Sequence, residues 1–400
     1  MVVMSVPPCG ESKADPQPQS SMEQALKTAE LEEASLIFHN LISYCEFMQG
    51  SKPYQRPTLV RLTYEYSLSK ATFLKLFFTH LDNTQDQSIE GSSPVFANGL
   101  SRFSSFGSQA TPVQKSEAVA AIDSFAQYLV DSLYLPIKAG GARLPRRNAA
   151  RSRLSDPSLA NAVGSPANLS ALRRNCLARD RNRCVVTNDF NIEILERRKR
   201  NTSTFRNVVY TPGTLSRLAV SHIIPYAIMS GTTVDGEVQL NDSKKTAQLL
   251  LNMLDPDVLK SIEGLNIHHP SNAITLTAEI YECFALFQIS FEATDGEAAA
   301  AADGSTHPRH TYTIRESSTL DFEQTDFPVT RTLLFSEDNI FDPPSARLLA
   351  LHRAIAIILD RSGAGDYINK ILRDSKNESS CDEGSTEIGR IANLIVDGWL

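Results

Sequence analysis

Two short segments, 50 positions apart, constrain this 400-residue chain more than any other part of it. The first is Leu218-Ala-Val-Ser-His-Ile-Ile-Pro225, with the apolar and β-branched content of a short strand. Pro225 lacks the N–H that a sheet ladder needs, so the strand has to end close to His222. The second is Ser271-Asn-Ala-Ile-Thr-Leu276, which opens on turn-forming residues and runs into an apolar stretch read as a helix from Thr277 to Phe291. Asn272 would sit just before that helix, with Thr277 as its N-cap. Taken singly, each residue has an ordinary explanation: a histidine among Val220, Ile223 and Ile224 is usually a satisfied core residue, and an asparagine before a helix is usually a cap. Their order is what restricts the fold.

A chain of this length is expected to divide into two or three units. The reading places a disordered tail at 1–20, an N-terminal helical region at 21–139 and a linker at 140–170. A main unit follows at 171–373, and then a flexible tail with a short terminal helix at 374–400. In the N-terminal region, Ala34, Ile37, Phe38, Leu41, Cys45 and Met48 recur at helical spacing behind a Ser21/Gln24 capping box. Further helices are expected at 67–81 and 115–133, with a polar loop between them. In the main unit the expected elements are a helix at 172–180, a short strand at 183–187 and the strand ending near His222. A helical excursion at 243–259 precedes the Asn272 turn. Arg197-Arg-Lys-Arg200 is assigned to a polar insertion. The alanine-rich loop at 294–304 is expected to join two strands, the second at 310–315, and Pro343-Pro-Ser345 is expected to open a helix that Gly363 closes. The apolar end, with the only tryptophan, is expected to dock back on the body.

No apolar run approaches the roughly 20 residues needed to cross a bilayer, so no membrane association is expected. The first 21 residues lack the apolar core of a signal peptide, and six cysteines fall at no C-x-x-C spacing. Both point to an intracellular protein, cytoplasmic or nuclear, with reduced thiols. The net charge is −7, but residues 138–206 hold 16 Lys or Arg against 5 Asp or Glu. That local excess of +11 leaves −18 for the remainder. A basic segment ahead of the His222 strand is suited to phosphates, with Arg179, Arg181 and Arg183 as nucleic-acid-binding candidates, or else is a solvated linker.

A phosphodiester resists hydrolysis because its anionic phosphate repels nucleophiles and its alkoxide leaves poorly. A base that activates water and a divalent metal that stabilises the leaving oxygen answer both problems. His222 is the candidate base, since an unperturbed imidazole titrates near pH 6.5. Asn272 is the candidate orienter of its ring, and the helix after it would deliver a metal ligand from its first turns.

The ordered set Arg183-Cys-Val-Val-Thr187, Ser221-His-Ile-Ile-Pro225, Asn272-Ala-Ile-Thr-Leu276 and Phe284-x-x-Phe287 resembles the HNH endonuclease superfamily, within it the fungal-type HNH nuclease domain proteins. The likeness extends from about 172 to 373. It implies an α+β protein with a ββα-metal core embedded in a mainly helical chain, one divalent ion (Mg, Mn or Zn), and DNA or RNA as substrate. In that family the first histidine is the general base, the asparagine orients it, and the last histidine binds metal. Here the residue before the base, often a metal ligand, is Ser221, and the last histidine position is held by Tyr281. His268, His269, Glu279 and Glu282 stand close enough in sequence to supply ligands instead. The alternative is a degenerate HNH-shaped module that binds nucleic acid or, through the N-terminal helices, a protein partner.

Overall fold

The computed structural model describes residues 28–50, 53–83, 95–107, 110–142, 163–200, 214–234, 237–294, 310–318, 327–333, 340–374 and 386–400. The N-terminal tail and the Ser21/Gln24 capping box lie outside them. Helix α1 (Thr28–Met48) buries Ala34, Ile37, Phe38, Leu41 and Cys45, as their spacing requires. Helices α2 (Arg56–Tyr66) and α3 (Lys70–Asn83) follow, so the helix expected from 67 starts later and has a neighbour before it. The stretch read as a polar loop between 82 and 114 contains a helix, α4 (Val95–Phe103), which buries Leu100 and Phe103. Its two apolar residues one turn apart suffice for one buried face, too short a pattern to stand out among serines and glycines.

A Thr111/Gln114 capping box opens α5 (Pro112–Leu129). The helix then widens into a π-helical turn at Val130–Tyr134 and continues as α6 (Leu135–Gly141). Pro136 carries no N–H, and a wide turn just before it accommodates the missing donor. Next comes α7 (Pro166–Arg179), capped by Ser165, whose side chain accepts the Asn168 N–H at 3.3 Å.

Residues 183–187 form a knuckle rather than the expected strand. The Cys184 N–H donates to Asp189 O at 2.9 Å, the Asn188 N–H to Cys184 O at 3.0 Å, and the Thr187 N–H to Cys184 Sγ at 3.4 Å. Positive φ at Arg181, Asn182 and Asn188 bends the backbone on both sides of it. The Val185 N–H, donating to Thr275 O at 2.9 Å, fastens this knuckle to the strand beyond Asn272. Beyond it, β1 (Phe190–Asn191) pairs in parallel with β2 (Leu215–Ser216), and between them the Arg197–Arg200 run is the end of a helix, α8 (Ile192–Arg200), not a loop.

Strand β3 (Leu218–His222) follows. A 3₁₀ turn (Tyr226–Met229), the hairpin β4 (Thr232–Val234) and β5 (Glu237–Gln239), helices α9 (Asp242–Leu254) and α10 (Val258–Ile262), and 3₁₀ turns at Gly264–His268 and Pro270–Asn272 separate it from β6 (Ala273–Thr277). β3 and β6 are antiparallel, with His222 opposite Ala273 and Leu218 opposite Thr277. Helix α11 (Ala278–Ala285), capped by Thr277, packs on both strands. Asn272 therefore precedes a strand, and the helix begins only after it. α11 is also shorter than expected: Phe287 takes φ 56° and ends it, and β7 (Ile289–Ala293) begins.

β7 pairs with β8 (Thr311–Glu316), and β8 with β9 (Val329–Thr332), all antiparallel. Ser345 caps α12 (Ala346–Ser362), and Gly363 ends it at φ 71°. Helices α13 (Ala364–Asp374) and α14 (Thr386–Val396) complete the chain, and Trp399 is fully buried. The result is mainly helical with small sheets, within the expected α+β class. One continuous apolar cluster runs from Ala34 to Trp399, and α2 lies against α12. No helix among the described residues is long and apolar enough to cross a membrane.

Candidate active site

The β3–β6 register puts His222 and Val220 on one face of the pair and Ser221 on the other, because side chains alternate along a strand. Helix α7 covers the Val220 face, where Leu172, Cys176 and Ala273 form a small apolar cluster. Asn272 fixes where the strands end. Its Oδ1 accepts the Ile224 N–H at 2.9 Å, and its Nδ2 donates to Ile224 O at 3.1 Å and Ile267 O at 2.9 Å. Its own carbonyl accepts the Ile223 N–H at 2.8 Å. The asparagine thus staples the turn behind His222 to the turn before β6. Its amide is spent on backbone and does not hold the imidazole, so any orientation it gives the ring passes through the main chain.

The ring is held instead by His268, whose Nδ1 lies 3.0 Å from His222 Nε2. The Gly164 N–H, just ahead of α7, donates to His268 Nε2 at 3.0 Å. A backbone N–H can only donate, so His268 Nε2 carries no proton. The neutral ring then has its proton on Nδ1 and gives it to His222 Nε2. Consequently the Nε2 lone pair of His222 is occupied, and its own proton sits on Nδ1. Tyr226 closes the group, its ring centroid 5.3 Å from His222 and 5.8 Å from His268. Burial pushes the His222 pKa down to about 3, with the neighbouring His268 adding to the effect, and burial pushes His268 down to about 4. Both rings are neutral at pH 7.

Tyr281 is buried, and its hydroxyl donates to Gly141 O at 3.3 Å. Burial raises the phenol above its ordinary pKa, and Tyr226 and Glu282 raise it further. Helix α6 reaches that far because it ends in glycine: a Cβ on Gly141 would stand 2.7 Å from Ala285 O. Ser221 Oγ, also buried, donates to His222 O at 3.2 Å.

These residues do not fit the divalent ion that the resemblance implies. Among the described residues no three of His, Cys, Asp or Glu converge as a metal site. The two family ligand positions carry protonated hydroxyls turned to backbone carbonyls. Glu279 and Glu282 are exposed. His269 turns outward, Nδ1 2.8 Å from Ser271 Oγ and Nε2 3.9 Å from Asp342 Oδ2. Magnesium or manganese would want carboxylate oxygens, and zinc would want a third and a fourth ligand beside the two imidazoles.

The three arginines do not form a phosphate-binding set. Arg179 is fully buried, paired with Asp180 at 2.7 Å and donating to Pro270 O (2.7 Å), Ala273 O (2.9 Å) and Asp342 O (3.3 Å). It cannot meet phosphate. Arg183 donates to Asn188 O at 2.8 Å and lies over the Phe190 ring, holding the knuckle. Arg181 is exposed.

Residues 184–292 match the HNH endonuclease family. The HNH match spans β1 to β7 and so includes the knuckle, the β3–β6 pair, His222, His268, Asn272 and Tyr281. It points to a nuclease-like or nucleic-acid-binding function. No curated protein and no solved structure matches the chain. Gly164 and Tyr226, which complete the histidine cluster, had no motif to mark them in the sequence. Gly164 could have been suspected from its place before the Ser165-Pro166 helix start.

Proposed function

We propose that this chain is an HNH-type module that binds nucleic acid without hydrolysing it, its nuclease centre having become part of the core. The observation that carries this reading is the contact between His222 Nε2 and His268 Nδ1, at 3.0 Å. A general base needs a free lone pair and a pKa near the working pH. His222 has its Nε2 lone pair engaged and a pKa pushed down to about 3. The hydroxyls of Ser221 and Tyr281, where the family places metal ligands, agree with it.

Binding is supported by charge. In sequence the excess of +11 over 138–206 includes the knuckle, and Arg174, Arg181 and Arg217 are exposed on α7, after it, and just before β3. Contacts of this kind go to phosphates, carry little sequence information and weaken as salt rises.

The test sets plasmid cleavage with magnesium, manganese or zinc beside binding of labelled duplex DNA and RNA over a salt series. No metal should produce cleavage. Binding should weaken with salt, and Arg174→Ala, Arg181→Ala and Arg217→Ala together should reduce the slope of log K against log salt by about 2–3, at roughly 0.9 per phosphate contact. Metal-dependent cleavage that disappears in His222→Ala would overturn the reading, as would an absence of salt-dependent binding.

A further inference from the structure

Residues 386–400 join the N-terminal helical region to the segment that matches the HNH family, and they do so mainly at their two ends. Of the described α14 side chains only Leu394 is buried, whereas Ala392, Asn393, Ile395 and Val396 are exposed. At one end Arg390 Nε lies 3.1 Å from Asp131 Oδ1 in the π-helical turn, and Arg390 Nη1 donates to the Tyr367 hydroxyl of α13 at 2.5 Å. At the other end Gly398 turns the chain at φ 71°, and the Trp399 N–H donates back to Leu394 O at 2.8 Å. This turn meets the start of α9. Asn241 Nδ2 donates to Asp397 O at 3.2 Å, and Trp399 Nε1 donates to Ser243 Oγ at 3.1 Å.

Lys244 links that end to the turn after His222. Its buried Nζ donates to Ser230 O at 2.6 Å, to Ser230 Oγ at 2.9 Å and to Gly398 O at 3.4 Å, and lies 5.6 Å from the Trp399 ring. Ser230 ends the 3₁₀ turn Tyr226–Met229, whose Tyr226 closes the histidine pair. The Trp399 ring also covers α6. A Cβ on Gly140 would stand 3.4 Å from Trp399 Cε3, 3.6 Å from Pro225 Cβ and 2.8 Å from Ala227 Cβ, so ring, helix end and turn are packed together.

We propose that residues 386–400 form a latch that opens as one unit, short of global unfolding, and that its opening frees the turn Tyr226–Ser230 beside the histidine pair. A helix with little buried surface belongs to the low-stability end of a fold. α14 has 11 residues, a length at which an isolated helix is marginal in water, so release at Arg390 carries through to Trp399. Opening takes Gly398 O and the indole ring away from Lys244. The ammonium then turns to water, because a buried charge must keep its N–H groups satisfied, and Ser230 loses the donor that fixes its carbonyl.

The test follows hydrogen exchange in the full chain at the indole N–H of Trp399, the only tryptophan, and at the Ile228 and Ser230 amides. Those amides donate within the turn, to Pro225 O and Ala227 O, both at 3.2 Å. In the native chain all three should share one weak denaturant dependence, below the unfolding transition. Arg390→Ala removes an ion pair and a hydrogen bond at the end of α14 away from Trp399, and should speed all three by about 5–30-fold. Faster indole exchange with native rates at Ile228 and Ser230 would overturn the coupling, and native rates at all three would overturn the latch. So would a native-chain denaturant dependence equal to that of global unfolding, which decides even if Arg390→Ala fails to fold.

Discussion

Asn272 shows at the scale of one residue how a motif position can serve structure first. Its amide satisfies one buried N–H and two buried carbonyls, of Ile224 and Ile267. Asn272→Ala would leave all three without partners, at about 1–3 kcal/mol for each group that water cannot reach. A loss of about 2–4 kcal/mol in denaturant unfolding is expected after partial relaxation, and a loss under ~1 kcal/mol would mean that the turn is held by other contacts. Arg179 makes the same point for charge. Its guanidinium serves Asp180 and three carbonyls from a site with no exposure, so Arg179→Ala should cost about 3–5 kcal/mol. Duplex binding by the folded fraction of that variant should keep its native salt slope, and a shallower slope would place Arg179 at phosphate after all. His222 and Asn272 were legible from their order in the chain. The state of the His222 ring was not, because it follows from a backbone N–H of Gly164 that reaches His268 across 104 positions.

Gly164 also matters at the scale of elements, since it joins the start of α7 to the histidine pair. It takes φ 83°, and a Cβ there would stand 2.7 Å from Tyr226 Cε2. Gly164→Ala combines left-handed strain with a clash against a ring, and should lower stability by about 1–3 kcal/mol. Because the same residue fixes the His268 tautomer, the imidazole ¹⁵N shifts of His222 and His268 should change as well. Unchanged shifts would separate α7 from the histidine pair. Elements with strong boundary signals were readable: α12 between Ser345 and Gly363, and β3 with its end near His222. Others depended on geometry that composition does not report. Val185 and Val186 suggest a strand, yet Asn182 and Asn188 take positive φ on either side and close a knuckle. The run from Thr277 to Phe291 reads as one helix, yet Phe287 breaks it in the left-handed region and the chain turns into β7. Arg197–Arg200 reads as a polar loop from charge alone, although arginine and lysine are good helix formers.

Across the whole molecule the buried ionisable groups make stability depend on pH with a definite sign. His352 is buried between Phe284 and Phe287, with ring centroids 4.0 and 4.3 Å away, and Nε2 3.0 Å from Phe284 O. Burial pushes its pKa down to about 3, while the unfolded chain would titrate near 6.5. The unfolded state therefore binds the proton first as pH falls. The stability held by neutral His352 is complete above about pH 6.5 and drains away towards pH 3, by about 2 kcal/mol already at pH 5. His222 and His268 act in the same direction. Lys138 adds a second ramp at higher pH. Its folded pKa of about 7 lies below an unfolded value near 10.4, so the unfolded state holds the extra proton between them and stability rises with pH. Cys176 and Cys283, whose thiols burial pushes up to about 12 and about 11, oppose that rise once unfolded thiols ionise near pH 8.5. The lysine ramp is thus read between pH 7 and 8.5, where it should contribute about 1–2 kcal/mol. Denaturant midpoints measured from pH 4.5 to 8.5 should rise throughout, steeply below 6.5 and gently above 7. Lys138→Met should flatten only the upper part and raise the midpoint at pH 7, because a buried charge that water solvates better has been replaced by an apolar side chain of similar length. A native profile flat above pH 7, or a Lys138→Met profile that keeps the upper slope, would mean that Lys138 titrates as an ordinary solvated lysine.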